Sequence, residues 1–407
     1  MVSSELISTY NLALDRDSKI ILLVIDGVGG LPHPTTGKTE LETARTPHLD
    51  EVARKGTGGL IDPIGRGVAP GSGVAHLALF GYDPIRHAIG RGAIAALGIG
   101  LTPDPSDVAV RVNFATLDKK TGGISDRRAG RIATERNAEL CALLREIKIE
   151  GVEYTIDPVK DYRAVVVFKG EDLSDRLSDS DPGKDGLAPK PVVPRDEGDA
   201  KAQRMADIAN EFIRQAREIL SDLAPTNMIL MRGFAHPTYL DTMQEVYRLK
   251  SGAIATYPDY LGVSRMVGMD ILETGPEVAD ELETLEQHYA DYDFIFFHVK
   301  KTDSAGEDGD FHKKVHLIEE LDASVPRITQ LQPNVLVVTG DHSTPATFQA
   351  HSWHPVPLIL SSRWCRCDPI SAFSEMECAR GLLGRFPATE VMALALAHAE
   401  RLSKFGA

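Results

Sequence analysis

The chemistry of this chain is concentrated where apolar runs end in ligand-type side chains. Val335 to Gly340 reads as a buried strand, and Asp341 and His342 follow it directly. Such a strand delivers a carboxylate and an imidazole, side by side, to the sheet edge where open α/β folds build their ligand sites. Two adjacent side chains of this kind point to a metal. A second apolar run, Ile20 to Ile25, ends in Asp26, and a third, Phe294 to Val299, leads to Asp303. Three strand ends carrying carboxylates are hard to explain as packing and easy to explain as a polynuclear metal centre.

Ser72 adds a nucleophile. It lies between Gly71 and Gly73, ahead of an apolar run from Val74 to Phe80 that predicts a helix. Backbone N–H groups converge at such a turn and can cradle a phosphate. The Gly-x-Ser-x-Gly elbow is matched only loosely, and taken alone a solvated cap at a helix entry explains Ser72 more simply. Metal-binding carboxylates elsewhere change that balance. A divalent cation on a serine oxygen makes it nucleophilic without a neighbouring histidine base.

The elements that must position these residues form an α/β chain. Up to about Asp107, strand-like and helix-like patterns alternate through Gly-rich connections. Thr46 and Pro47 predict a helix start, Thr as cap and Pro at the first helical position. Gly58 to Asp62 reads as a short strand. The composition changes near Val108. Ala109 to Ala115 alternates and meets a hairpin-like turn at Lys119 to Gly123, Arg163 to Phe168 is a further strand, and a polar loop runs from Asp172 to Asp199. A helix is expected from Ala200 to about Leu223, a strand from Asn227 to Gly233, and a resumed βα rhythm from about Lys250 to a terminal helix, Ala388 to Leu402. The simplest architecture is a discontinuous domain, residues 1–108 and 241–407, with a smaller α/β domain inserted at 109–240.

Bulk properties narrow the functional class. The 407 residues allow two domains of ordinary size. A formal charge of −15 argues against nucleic-acid or anionic-membrane partners, though a metal and local arginines can still hold an anionic substrate. No apolar stretch approaches the ~20 residues of a membrane helix, and the amino terminus does not read as a signal peptide. The four cysteines, Cys141, Cys365, Cys367 and Cys378, read as reduced thiols, because Cys365 and Cys367 are too close for an ordinary disulfide. A cytoplasmic enzyme is the expectation.

Four motifs occur in order: Val24-Ile25-Asp26-Gly27; Pro70-Gly71-Ser72-Gly73-Val74-Ala75-His76-Leu77, with Phe80-Gly81-Tyr82-Asp83-Pro84 after it; His298-Val299-Lys300-Lys301-Thr302-Asp303-Ser304-Ala305-Gly306; and Thr339-Gly340-Asp341-His342-Ser343. Together, from about residue 20 to about residue 400, the chain resembles the archaeal-type cofactor-independent phosphoglycerate mutases of the alkaline-phosphatase superfamily. The resemblance implies an alkaline-phosphatase-like three-layer core and two divalent cations, Mn²⁺ or Mg²⁺ foremost, with Co²⁺ or Zn²⁺ as other occupants. One cation would take Asp26, Ser72, Asp341 and His342. The other would take Asp303, residue 307 and His351, which precedes Pro355-Val356-Pro357 as in the family. Residue 307 is Glu, where the family commonly has His. A carboxylate suits hard cations, but His312 or His354 could supply a nitrogen instead, and Glu307 could simply be solvated. For His76 a packing or capping role is as economical as a chemical one, and His316 reads as lying on a helix face.

The resemblance also assigns Arg127, Arg128, Arg131, Arg163 and Arg232 to substrate binding, since arginine recognises phosphate and carboxylate in bidentate fashion. Lys250 resembles a substrate-phosphate lysine of related bacterial enzymes, and Arg91 could be structural. The implied reaction passes the phosphoryl group of 3-phosphoglycerate to Ser72 and returns it to the neighbouring hydroxyl, giving 2-phosphoglycerate. Closure about hinges near residues 108 and 240 would exclude water, and Asp126 is the candidate base. The partner is then a small-molecule phosphoglycerate, the protein a monomer or homo-oligomer. A phosphohydrolase, or a mutase of another phosphorylated metabolite, would share the metal core. A non-catalytic phosphate-binding protein, with Glu307 marking a degraded centre, is the reading from another class.

Overall fold

The computed structural model describes residues 3–87, 89–366 and 368–406, so Cys367 lies outside the described residues. Along the chain run β1 (Ile20–Ile25), β2 (Thr57–Asp62), β3 (Val108–Leu117), β4 (Ile124–Asp126), β5 (Glu153–Lys160), β6 (Arg163–Lys169), β7 (Met228–Ala235), β8 (Ser251–Ile254), β9 (Asp270–Ile271), β10 (Phe294–Val299), β11 (Val335–Thr339), β12 (Val356–Ser362) and β13 (Gly384–Pro387). Two compact units result, Met1–Ala88 with Leu240–Ala407, and Ile89–Tyr239.

The first unit is built on an eight-stranded sheet in the order β13-β2-β12-β11-β1-β10-β8-β9. β1 pairs in parallel with β10 and β11, and every residue of the three strands is buried. Strands covered on both faces lose the alternation of half-exposed ones, which is why these runs are continuously apolar. Towards one edge β12 runs antiparallel to both β11 and β2.

The second unit carries β3 to β7 as a five-stranded antiparallel sheet. Val108, Val110, Val112 and Phe114 point to the core shared with the helices Thr134–Leu144 and Ala200–Leu220. The unit begins at Ile89, about twenty residues before the expected boundary, because the helix Arg91–Gly98 sets Ala95 and Ala96 against Ala109, Val165 and Val167.

Local differences from expectation have identifiable causes. The helix Pro47–Lys55 forms, but Thr46 does not cap it. Asp322, from the helix Phe311–Gln330, accepts from His48 N at 3.3 Å and Leu49 N at 2.8 Å instead. The long helix of the second unit stops at Leu220, short of the expected Leu223. The terminal helix is confined to Val391–His398, and the chain then leaves helical geometry so that buried Arg401 can reach Ser18 and Asp293. Cys141, Cys365 and Cys378 are free thiols. Among the described residues no helix is long and apolar enough to cross a membrane.

Candidate metal centre

The carboxyl ends of β1, β10 and β11 open onto one place. Asp26 directly follows β1, Asp303 lies on the helix Lys301–Glu307 after β10, and Asp341 and His342 follow β11; all four side chains are buried. Gly27 permits the crowding. Its φ of +65° suits glycine, and a Cβ there would lie 2.6 Å from Thr344 Oγ1. The bare backbone lets Gly27 N donate to Asp341 Oδ1 at 3.1 Å.

His342 is the centre of the cluster. Its Nε2 lies 3.0 Å from Asp341 Oδ2, 3.5 Å from Asp26 Oδ1 and 3.1 Å from Ser72 Oγ. Its ring stacks on that of His351 with centroids 3.6 Å apart, and His351 Nε2 is 3.5 Å from Asp303 Oδ1. Two sets of ligand-type atoms converge, Asp26 with Asp341 and His342, and Asp303 with His342 and His351. His342 thus offers an atom to both sets.

Hydrogen bonding fixes which nitrogens face inward. The Thr344 hydroxyl lies 2.8 Å from Asp303 Oδ1 and 2.9 Å from His342 Nδ1. Its single proton goes to the carboxylate, which can only accept, so His342 Nδ1 must donate to it. Nε2 is left with its lone pair directed at the carboxylates. His351 Nδ1 likewise donates to the Pro70 carbonyl at 2.9 Å, so the neutral ring presents Nε2. This is how metal-binding histidines are held. Asp26 Oδ1 and Asp341 Oδ2 are buried and make no hydrogen bond among the described residues. Unpaired buried carboxylate oxygens beside imidazole lone pairs fit a divalent cation.

Electrostatics agree with the geometry. Burial alone would raise the pKa of Asp26, but Lys300, His298 and His342 outweigh it and hold the carboxyl well below the usual range. Burial and the charge of Asp26 oppose ionisation of Asp303, yet the His351 hydrogen bond and Lys300 bring it down to about 2. Burial would lower His351, and Asp303 instead raises it to about 9. His76, one turn after Ser72 and donating to its carbonyl at 2.8 Å, is driven down to about 4 by burial and stays neutral.

Ser72 opens the helix Ser72–Leu79, two residues earlier than the apolar run indicates. Glu307 ends the helix that bears Asp303. Its Oε1 is 4.0 Å from His351 Nε2, its side chain is 43% exposed, and it enters neither cluster. His312 packs on Phe311, His354 stacks on Trp353, and His316 pairs with Glu320, and none of them belongs to either ligand cluster. Lys300 was not anticipated, although it lies within the His298-to-Asp303 motif. Its ammonium is 3.0 Å from Asp26 Oδ2 and 2.5 Å from Asp303 Oδ2. Tyr260, also unanticipated, donates to Asp26 Oδ2 at 2.5 Å. Lys250 is a correction. It precedes β8 at the opposite, amino-terminal edge of the parallel strands, with its ammonium over the Tyr292 ring at 4.9 Å.

In the second unit, register puts several cations on one face. Arg111 faces Arg232 across β3–β7, and Asn113, two residues on, faces Arg163 across β3–β6. Arg111 was missed, although the alternation of β3 places it opposite the core. Asp181 holds Arg127 in a bidentate pair at 2.7 and 2.8 Å and lies 3.3 Å from Arg232. Burial, and then the charge of Arg91, lower the pKa of Arg232. Arg128 and Arg131 are exposed. Asp126, the candidate base, ends β4. Its oxygens accept from Arg128 N at 2.7 Å and Gly130 N at 2.6 Å, within its own turn.

Comparison with known proteins finds relatives over nearly the whole chain. A family described as 2,3-bisphosphoglycerate-independent phosphoglycerate mutase matches residues 53–227. A protein of Thermotoga petrophila, named a probable member of that family, is 51% identical over 97% of this chain and 98% of its own. One from Thermus thermophilus, similarly named, is 47% identical over 97% and 98%. Among solved structures, the PH0037 protein from Pyrococcus horikoshii superimposes with a TM-score of 0.82 at 29% identity, covering 96% of this chain and 99% of that one. The cofactor-independent phosphoglycerate mutase of Thermoplasma acidophilum gives 0.67 at 29% identity, covering 94% and 100%.

Proposed function

The chain belongs to the 2,3-bisphosphoglycerate-independent phosphoglycerate mutases, and on that premise we propose that it interconverts 3-phosphoglycerate and 2-phosphoglycerate through a phosphoserine on Ser72. The observation that carries this reading is the Ser72 hydroxyl, set at a helix start 3.1 Å from the imidazole shared by both ligand clusters. We assign the first unit to phosphoryl transfer and the second to substrate binding. Asp26, Ser72, Asp341 and His342 would hold one divalent cation and Asp303 and His351 the other, with Glu307, 4.0 Å from His351, as a further oxygen ligand on metal binding; Mn²⁺ or Mg²⁺ are foremost, and they would supply Lewis acidity and neutralise phosphoryl charge.

The chain's own groups account for the remaining steps. Ser72 Oγ gives up its proton and bonds to phosphorus as the bond to the substrate's C3 oxygen breaks, and that oxygen takes up one proton and leaves as a hydroxyl. Backbone N–H groups at the start of the serine helix, and the Lys300 ammonium, offset charge on the phosphoryl oxygens. Neutral His76 holds the serine's own turn through its carbonyl. Arg127, Arg163 and Arg232, with Arg111 on the same face, retain the glycerate carboxylate, and Asp181 orients two of them. The C2 hydroxyl then takes the phosphoryl group from Ser72, which regains its proton. A phosphohydrolase would have no need to retain the dephosphorylated product.

The reading carries with it a small-molecule phosphoglycerate as partner, a cytoplasmic setting, and a monomer or homo-oligomer. Incubation with 3-phosphoglycerate and Mn²⁺, without 2,3-bisphosphoglycerate, should give 2-phosphoglycerate with little free phosphate. Phosphate released in step with substrate loss, and no 2-phosphoglycerate, would make the protein a hydrolase.

A further inference from the structure

Behind the ligand clusters two charged side chains are wholly buried together. Lys314, on the helix Phe311–Gln330, and Glu40 both have 0% exposure, with Lys314 Nζ 3.9 Å from Glu40 Oε1. The ammonium donates to the Gly29 carbonyl at 3.1 Å and to the Thr344 carbonyl at 2.8 Å. Glu40 Oε1 accepts from Ala346 N at 2.7 Å, and Glu375 accepts from Gly30 N and the Thr39 hydroxyl, each at 2.8 Å.

These contacts join two specific segments. Gly29 and Gly30 continue the chain from Asp26, and Thr344 and Ala346 continue it from Asp341 and His342. Thr344 also bridges Asp303 and His342 through its hydroxyl. A buried ammonium is unfavourable unless paired, and an apolar side chain of similar volume often serves the fold as well. What an apolar side chain cannot do is grip a carbonyl from each ligand-bearing segment at once.

We propose that Lys314, balanced by Glu40, is a positioning residue for the metal centre: by tying the two segments together it sets the spacing of the two ligand clusters. The inference rests on the metal-centre reading of those clusters.

The test uses the full chain, freed of metal and titrated with Mn²⁺, with binding and spin coupling followed by electron paramagnetic resonance and the metal-free melting temperature measured in parallel. Wild type is the control. If it binds no Mn²⁺, the metal-centre reading itself fails. The double variant Lys314→Met with Glu40→Gln removes both charges together. It should bind at least one Mn²⁺ about 10- to 100-fold more weakly, with altered spin coupling, while the metal-free melting temperature stays close to wild type. Glu40→Gln alone keeps an acceptor for Ala346 N and should bind within about threefold of wild type, since the grip on both carbonyls remains. Wild-type affinity and coupling in the double variant would overturn the proposal. So would loss of the metal-free fold in the double variant, which would assign these charges to stability, and so would a Glu40→Gln loss as large as the double variant's.

Discussion

The Thr344 hydroxyl has one proton to give. Because that proton goes to Asp303, His342 must place its own on Nδ1, which leaves Nε2 free for a cation. Thr344→Val should therefore weaken Mn²⁺ binding by about 10- to 100-fold with the fold retained, while Thr344→Ser should keep most of the affinity; titration calorimetry reads both. The Asp303–His351 pair makes a separate prediction about pH. With His351 raised from 6.5 to about 9, the stability it lends the metal-free protein is complete below pH 6.5 and lost as pH rises through 9. With Asp303 lowered from 3.8 to about 2, its share is complete above pH 3.8 and lost as pH falls through 2. A cation must displace the Nε2 proton, so Mn²⁺ affinity should climb by up to about tenfold per pH unit between pH 6.5 and 9 and then level off. A flat profile across that range would contradict the pairing. The ligand-type residues were legible in the sequence because each follows an apolar strand or sits in a recognisable motif. Lys300, Thr344 and Tyr260 were not, since which charge or hydroxyl faces a neighbouring strand end depends on strand order. Lys250 misled for the same reason, since it lies at the amino-terminal end of β8.

At the scale of elements, the buried parallel strands announce themselves by unbroken apolar runs, and β1, β10 and β11 lie where those runs predict. Helix ends were less legible because their partners come from elsewhere in the chain. Thr46 and Pro47 mark a helix start correctly, yet the free N–H groups there are taken by Asp322, more than 270 residues away. Asp322→Ala should lower stability by about 0.5–2 kcal/mol, the range for losing a side-chain cap, and thermal melting would register it. Activity per folded molecule should not change, because Asp322 touches neither ligand cluster. Gly27 is constrained in the opposite sense, since its φ of +65° and the proximity of Thr344 leave no room for a side chain.

For the whole molecule, the sequence pattern changes near Val108, whereas the second compact unit begins at Ile89. The apolar helix Arg91–Gly98 looks like one more turn of the preceding βα rhythm, and only its packing against Ala109 and Val165 assigns it to the second unit. The charge of −15 is likewise a poor guide to the sites themselves. Lys300 sits among the carboxylates of one unit, and Arg111, Arg163 and Arg232 share a sheet face in the other. The central claim is that the phosphoryl group passes through Ser72. Acid quenching during turnover of 3-phosphoglycerate, followed by mass spectrometry of peptides, tests it most directly. Phosphate should appear on the peptide containing Ser72, and Ser72→Ala should lose both that phosphate and the mutase activity while keeping its fold. Turnover to 2-phosphoglycerate with Ser72 unphosphorylated, or sustained by Ser72→Ala, would contradict it.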